Sequence, residues 1–195
     1  NAILGKMERE TIEYPLDYAN ITLLYPSYYP FYDNPFIKRA ISQLKYTGHF
    51  ALARPLGQLM ADRLWPLISE SLVLAGYPEE TALSIVPIPL SPDHLSGRSF
   101  NQSLLLAKEF ARKSHGKLSV KPQLLTKISE RPKQVTLKGY QRRQNLDGAF
   151  KGTPNQDVIL LIDDVTTTGT TLNRAREALL ESGSVLVIKI ALAGA

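Results

Sequence analysis

Two rhythms of apolar residues run along the chain. Between Asn34 and Gly48, Phe36, Ile37, Ala40, Ile41 and Leu44 recur three and four residues apart, the spacing of one helix face. Asn34 is a good N-cap, Pro35 suits the first helical position and Gly48 closes the helix. Helical spacing continues from Phe50 to Ala75, where Pro55 and Pro66 are expected to break or kink it. Phe100 to Lys113 predicts a further helix with Leu104, Leu105, Ala107, Phe110 and Ala111 inward. Thr170–Ser182 predicts the last one, with Leu172, Ala175, Leu179 and Leu180 on one stripe and Gly183 just past its end. Between the helices lie short apolar runs without alternation: Leu83–Leu90, Asp157–Ile162 and Val185–Ala191. "KPQLLTKI" and "GAFKGT" read as two more strands around a polar excursion, Ser129–Leu146. Continuous apolar strands separated by helices predict an α/β fold built on a parallel sheet. Residues 1–33 stand apart: six tyrosines with Pro26 and Pro30 among them, a segment of mixed strand and turn character ahead of a core domain at 34–195.

Composition narrows the chemistry. With 195 residues, 44% hydrophobic and 21% charged, the chain is long enough to bury one substantial core. It has no cysteine, which excludes disulfides, thiolate metal sites and cysteine nucleophiles. No apolar run approaches the roughly 18–20 residues that span a bilayer, and no signal-peptide pattern opens the chain, so a cytoplasmic protein without membrane insertion is expected. It starts with Asn rather than Met, as a piece of a longer protein would. The formal net charge is +5, yet Arg112–Lys151 alone carries +9: eleven Lys and Arg against Glu130 and Asp147. Such a block suits an anionic partner, phosphate, pyrophosphate or nucleic acid, or else is a solvated basic surface.

The densest chemistry is in "VILLIDDVTTTGTTL", Val158–Leu172. Ligands of open parallel sheets bind beyond the carboxyl ends of the strands, and Asp163 and Asp164 are predicted at such an end. The turn Thr166–Thr170 leads into a helix N-terminus, whose free N–H groups favour a phosphate. Threonine hydroxyls add donors, and Gly169 lets the backbone come close. Two carboxylates would repel a phosphate that they faced directly but would accept hydrogen bonds from a vicinal diol. The stretch therefore reads as a ribose 5-phosphate cradle: Asp163 and Asp164 on the sugar hydroxyls, and Thr166, Thr167, Thr168, Gly169 and Thr170 on the phosphate. The alternative is plain capping of a helix and a turn, which needs fewer groups than two acids, five threonines and a glycine. A Gly-Lys-Ser/Thr phosphate loop and a Gly-x-Gly-x-x-Gly turn are both absent.

"LLIDDVTTTGTT" resembles the signature of type I phosphoribosyltransferases, which bind phosphoribosyl pyrophosphate (PRPP). With "PFIKRAISQLKYTGH", "VPIPLSPDHLSGRSFNQS" and "RPKQVTLKGYQRRQNLDGAF" in that order, the chain from about Asn34 to Ala191 resembles the ComF family, a competence-associated group likened to amidophosphoribosyltransferases. The resemblance departs at two points. Family members usually open with a cysteine-rich zinc-binding segment, and the family's Arg-Gly-Phe-Asn-Gln is here Arg98-Ser99-Phe100-Asn101-Gln102.

The resemblance implies a type I phosphoribosyltransferase fold with a small N-terminal hood over residues 1–33. It implies a pyrophosphate loop after the Ser84–Ile88 strand, with Arg98 as its cation and Asn101 and Gln102 as polar support. It implies Mg²⁺ held through PRPP, with Asp163 and Asp164 as the protein carboxylates nearest to it. The excursion Ser129–Leu146 is then a flexible loop whose Arg131, Lys133, Arg142 and Arg143 reach pyrophosphate. The implied activity is displacement of pyrophosphate from PRPP by a nitrogenous acceptor of unknown identity. The Tyr-rich hood would stack on that acceptor or simply pack on the core. The alternative function is a PRPP-fold accessory factor in DNA uptake that binds single-stranded DNA or competence proteins. Single-strand grooves interleave aromatics with cations, and Arg112–Lys151 holds only Tyr140 and Phe150, which favours the small-anion reading.

Overall fold

Among the described residues, four parallel strands form the spine of the fold: β1 (Leu83–Pro87), β2 (Leu118–Val120), β5 (Val158–Thr166) and β6 (Leu186–Gly194). They lie side by side in the order β2-β1-β5-β6. The computed structural model describes residues 35–46, 48–78, 80–90, 100–128 and 150–194. Among the described residues, four helices accompany the sheet: α1 (Pro35–Tyr46), α2 (Ala53–Leu74), α3 (Gln102–Lys113) and α4 (Thr170–Glu181). A separate antiparallel pair joins β3 (Leu125–Lys127) to β4 (Phe150–Gly152), with Thr126 opposite Lys151. The expected α/β architecture with a parallel sheet between helices is what the chain adopts.

The central strand β5 pairs with β1 from Val158–Leu83 to Ile162–Pro87 and with β6 out to Thr166–Gly194. Its side chains feed two cores. Leu160 and Ile162 join the core that α1, α2 and α3 cover, whereas Ile159 and Leu161 join the smaller one beside α4. A strand buried on both faces has no polar side to show, which is why its sequence is continuously apolar.

Several elements differ from the periodic reading. Pro55 and Pro66 do not break the second helix: α2 runs unbroken through both. Pro55 lies in the first turn, where its missing N–H has no partner to lose. Around Pro66, Leu64, Ile68 and Leu72 are all buried, so packing holds the helix on either side. The buried face of α3 is Gln102, Ser103, Leu106, Ala107 and Phe110, with Leu104 and Leu105 only partly covered. The strand β2 is too short to show a period and is absent from the periodic reading. The strand β5 reaches Thr166, so both aspartates lie within it. The N-terminal segment 1–33 lies outside the described residues.

The α2–α3 contact depends on Gly57. A Cβ there would sit 2.5 Å from Glu109 Cβ and 3.0 Å from the Leu106 carbonyl oxygen. Alanine normally gains about 1 kcal/mol over glycine inside a helix, whereas forcing atoms into a packed contact costs about 1–3 kcal/mol. The clash is with a stem carbon and a backbone oxygen, so the cost should win. Gly57→Ala is expected to lower the melting temperature by roughly 2–8 °C; an unchanged or raised value would mean that the helices separate freely.

Candidate functional site

The carboxyl ends of β1 and β5 bring three chain segments together. At the end of β1, Asn101 bridges strand and helix: its Nδ2 donates to the Ile88 carbonyl (2.9 Å), and its Oδ1 accepts from the Leu104 N–H at the start of α3 (3.2 Å). That N-cap fixes the entry of α3. Two residues on, Ser103 Oγ donates to Asp163 Oδ1 (2.9 Å), which also accepts from the Asp164 N–H (2.9 Å). From the other side, the last turn of α1 delivers Lys45, whose Nζ lies 3.0 Å from Asp164 Oδ2. Side-chain alternation along β5 also changes here: Val165 packs with the core of Ile162, although strict alternation would send it toward Leu161.

The electrostatics of the acid pair are uneven. Burial, and then the neighbouring Asp164 charge, push the Asp163 carboxyl up to about 7, against the opposing pull of the Asp164 N–H, Ser103 and Lys45. Asp164 is 7% exposed and depends on the Lys45 ammonium for its neutralisation. Removing one partner of a buried ion pair costs about 3–5 kcal/mol, and less where water reaches it. Lys45→Ala should therefore cost about 1–3 kcal/mol, and adding Asp164→Asn should recover part of the loss. Additive losses in a denaturant double-mutant cycle would show that the pair is not coupled.

Beyond the acids, Thr166 ends β5 and is buried, and Thr167 and Thr168 are exposed. Gly169 precedes α4 at φ +71, a left-handed conformation that glycine adopts at little cost. Thr168 and Thr170 hydroxyls lie 2.8 Å apart, and the Asn173 N–H closes the first turn on the Gly169 carbonyl (2.8 Å). Lys189 on β6 donates to Asn173 Oδ1. Burial, and then nearby Arg176, hold that ammonium below the usual lysine range, against the pull of Glu177. The loop thus presents hydroxyls and the N–H groups of a helix start, a suitable seat for a phosphate.

Of the residues singled out in the sequence, Asp163, Asp164, Asn101 and the Thr166–Thr170 turn are gathered at this end of the sheet. Gln102 faces inward from α3, 2% exposed, and its Nε2 has no hydrogen-bond partner among the described residues. Arg98, Arg131, Lys133, Arg142 and Arg143 lie outside the described residues. Sequence reading missed Lys45, Ser103, Asn173 and Lys189. Lys45 stands in the quoted "LKYTGH", but nothing local distinguishes it from any lysine in a last helical turn. A cavity of about 560 Å³ opens at the other end of the sheet, lined by Trp65, Tyr77 and Leu83 among others, remote from the acid pair.

Curated proteins resemble the chain over most of its length. The competence protein ComFC of Streptococcus pneumoniae is 31% identical over 154 residues, 77% of this chain and 60% of the relative. ComFC of Bacillus subtilis is 31% identical over 153 residues, 77% of this chain and 56% of the relative. The chain is a homologue of the ComFC proteins, members of the ComF family. The DNA utilization protein YhgH of Salmonella typhi is 28% identical over 155 residues, covering 78% of this chain and 65% of YhgH. The chain thus spans somewhat under two thirds of these curated relatives. No protein-family model matches it. Among solved structures, the glutamine PRPP amidotransferase from B. subtilis complexed with ADP and GMP overlays with a TM-score of 0.43 at 17% identity, over 71% of this chain and 25% of that one. Among the described residues, no helix is long and apolar enough to cross a membrane.

Proposed function

We propose that this ComF-family chain has a type I phosphoribosyltransferase fold and binds PRPP at the carboxyl end of β5, as a phosphoribosyltransferase. The observation that carries this reading is the succession Asp163-Asp164, threonine turn, left-handed Gly169 and α4 N-terminus along one stretch of chain. The 5-phosphate would accept hydrogen bonds from the loop N–H groups and from the Thr168 and Thr170 hydroxyls. The sugar diol would donate to the acids, with Ser103 and Lys45 keeping the carboxylates in place. Arg98 and the cations of Ser129–Leu146 would meet the pyrophosphate, and the latter would help to exclude water as a competing acceptor. The acid pair fits Mg²⁺, which takes one or two carboxylates together with substrate phosphates rather than a cage of protein ligands. Bound with PRPP, the ion would offset the charge that builds on the departing pyrophosphate.

The relatives' names support a second reading, an accessory role in DNA uptake. Four of the described cations of the basic block speak against it. Arg112 pairs with Glu109, Lys113 with Asp62 and Lys121 with Asp157, each within 3 Å, and Lys127 lies over the Phe150 ring. These cations are engaged within the protein rather than aligned for a phosphate backbone. Calorimetric titration of PRPP with Mg²⁺, beside single-stranded DNA at two salt concentrations, separates the readings. Micromolar PRPP binding without a DNA signal is expected. Salt-dependent DNA binding without PRPP binding would replace the transferase reading with the accessory one.

A further inference from the structure

A cation already sits on the acid pair. Lys45 Nζ lies 3.0 Å from Asp164 Oδ2, with the lysine side chain 22% and the aspartate side chain 10% exposed. Little water reaches the contact, so the attraction is stronger there than between surface charges. The ammonium is also placed to stay. It stands in the last turn of α1, where a positive charge is favoured, next to Leu44, which is fully buried in the main core. On the other acid, Asp163 Oδ1 already accepts from the Ser103 hydroxyl and the Asp164 N–H. Among the described residues, no group of three or more histidine, aspartate or glutamate side chains could hold a metal ion. A divalent cation arriving alone would therefore find two carboxylates, one with an oxygen bonded twice and the other held by an ammonium. Affinity for such ions follows the negative charge that the ligands supply, and Lys45 offsets one of the two charges.

We infer that Lys45 is a resident counter-ion that keeps divalent cations off the acid pair until PRPP brings its own phosphates. This rests on the PRPP reading and adds an order to it: Lys45 admits the metal only together with the substrate. The diphosphate and the 5-phosphate carry several negative charges, more than one ammonium offsets, so an ion accompanied by them can settle where the bare ion cannot. An acid pair kept free of metal stays open to the sugar hydroxyls, which a pre-bound ion with its shell of waters would obstruct. Lys45 is in this sense a positioning residue that acts through Asp164.

The test is equilibrium binding of Mn²⁺, which takes the same oxygen ligands as Mg²⁺, to the full chain. Free Mn²⁺ is read by electron paramagnetic resonance, independent of turnover, with circular dichroism as the folding control. Without PRPP the parent should take up no Mn²⁺ below about 1 mM; with PRPP it should take up the ion. Lys45→Gln can still donate to Asp164 but lacks the charge, and should bind Mn²⁺ alone at least about tenfold more tightly than the parent. Lys45→Arg keeps the charge and should behave as the parent does. Adding Asp164→Asn to Lys45→Gln should abolish the gain. Sub-millimolar Mn²⁺ uptake by the parent alone would overturn the inference whether or not the variants fold. A folded Lys45→Gln that gains nothing would also overturn it, as would a gain that survives Asp164→Asn, which would put the ion elsewhere. Each of these leaves the PRPP reading intact if the parent binds PRPP together with Mn²⁺. A parent that binds no PRPP with the ion present would remove that reading and the inference with it.

Discussion

Replacing both Asp163 and Asp164 with asparagine is expected to weaken PRPP binding by at least about a hundredfold while leaving the protein folded. Each substitution keeps the shape of the side chain, and an asparagine in place of Asp163 would still accept from Ser103 and from the residue 164 N–H. What is lost is the charge that strengthens a hydrogen bond from a sugar hydroxyl, worth about 1.5–3 kcal/mol per contact; two such losses amount to about two to four orders of magnitude. Lys45 would at the same time lose the partner that it holds at 3.0 Å. Its unneutralised charge would attract the pyrophosphate and blunt the loss, so Lys45→Met in the same background should deepen it. Calorimetry with PRPP and Mg²⁺, with circular dichroism as the folding control, reads the outcome. A doubly substituted protein that binds PRPP as well as the parent does would remove the acid pair from the site.

Asp163 should also make the unliganded protein less stable as pH rises from about 4 to about 7. Asp163 holds its proton in the folded state up to about 7, whereas an unfolded aspartate releases it near 4. Between those values the folded state binds more protons than the unfolded one, so its stability declines with increasing pH and levels off above 7. The decline attributable to this group is on the order of 2–4 kcal/mol. Asp157 acts in a different window. Burial alone would raise its carboxyl, but Lys121 and Ser84 hold it below the usual range, so its stabilisation is present above about 4 and is lost as pH falls below that. Urea unfolding at intervals from pH 4 to 8 should show the decline in the parent and a flat profile in Asp163→Asn, which would also be the more stable protein at pH 8. A parent profile that rises over this range would contradict the buried, charge-crowded environment of Asp163. A carboxylate that destabilises its own fold at neutral pH is a cost usually met at binding sites, where a ligand supplies the missing compensation.

Much of this is legible in one dimension. The helix α1 is marked by its apolar spacing, by Pro35 and by Gly48, and each signal is local: a periodic face, a fixed φ, a left-handed residue. The parallel sheet is announced by apolar runs without alternation, because a strand covered on both faces cannot have a polar side. The Asp163–Thr170 stretch is recognisable because its strand end, acids, turn and helix start are contiguous in the chain. The course of α2 through Pro66 escapes such a reading because the penalty of a proline is local, whereas the packing of Leu64, Ile68 and Leu72 that outweighs it comes from other segments. Leu104 and Leu105 are misplaced by periodicity because the orientation of α3 is set by what it crosses, Gly57 among them, and not by its own hydrophobicity.

The order of the elements, the parallel class of the sheet and the groups available at the end of β5 all depend on residues close together in the chain, so the amino-acid order alone sets them. Other features exist only once distant segments have met: Lys45 neutralising Asp164, Ser103 holding Asp163, Lys189 steadying Asn173, and Phe50 and Phe100 meeting edge to face. Each of those contacts joins residues from about 16 to 119 positions apart. Burial and charge act through space, so the state of the Asp163 proton is decided by the segments that fold around it and not by its neighbours in the chain.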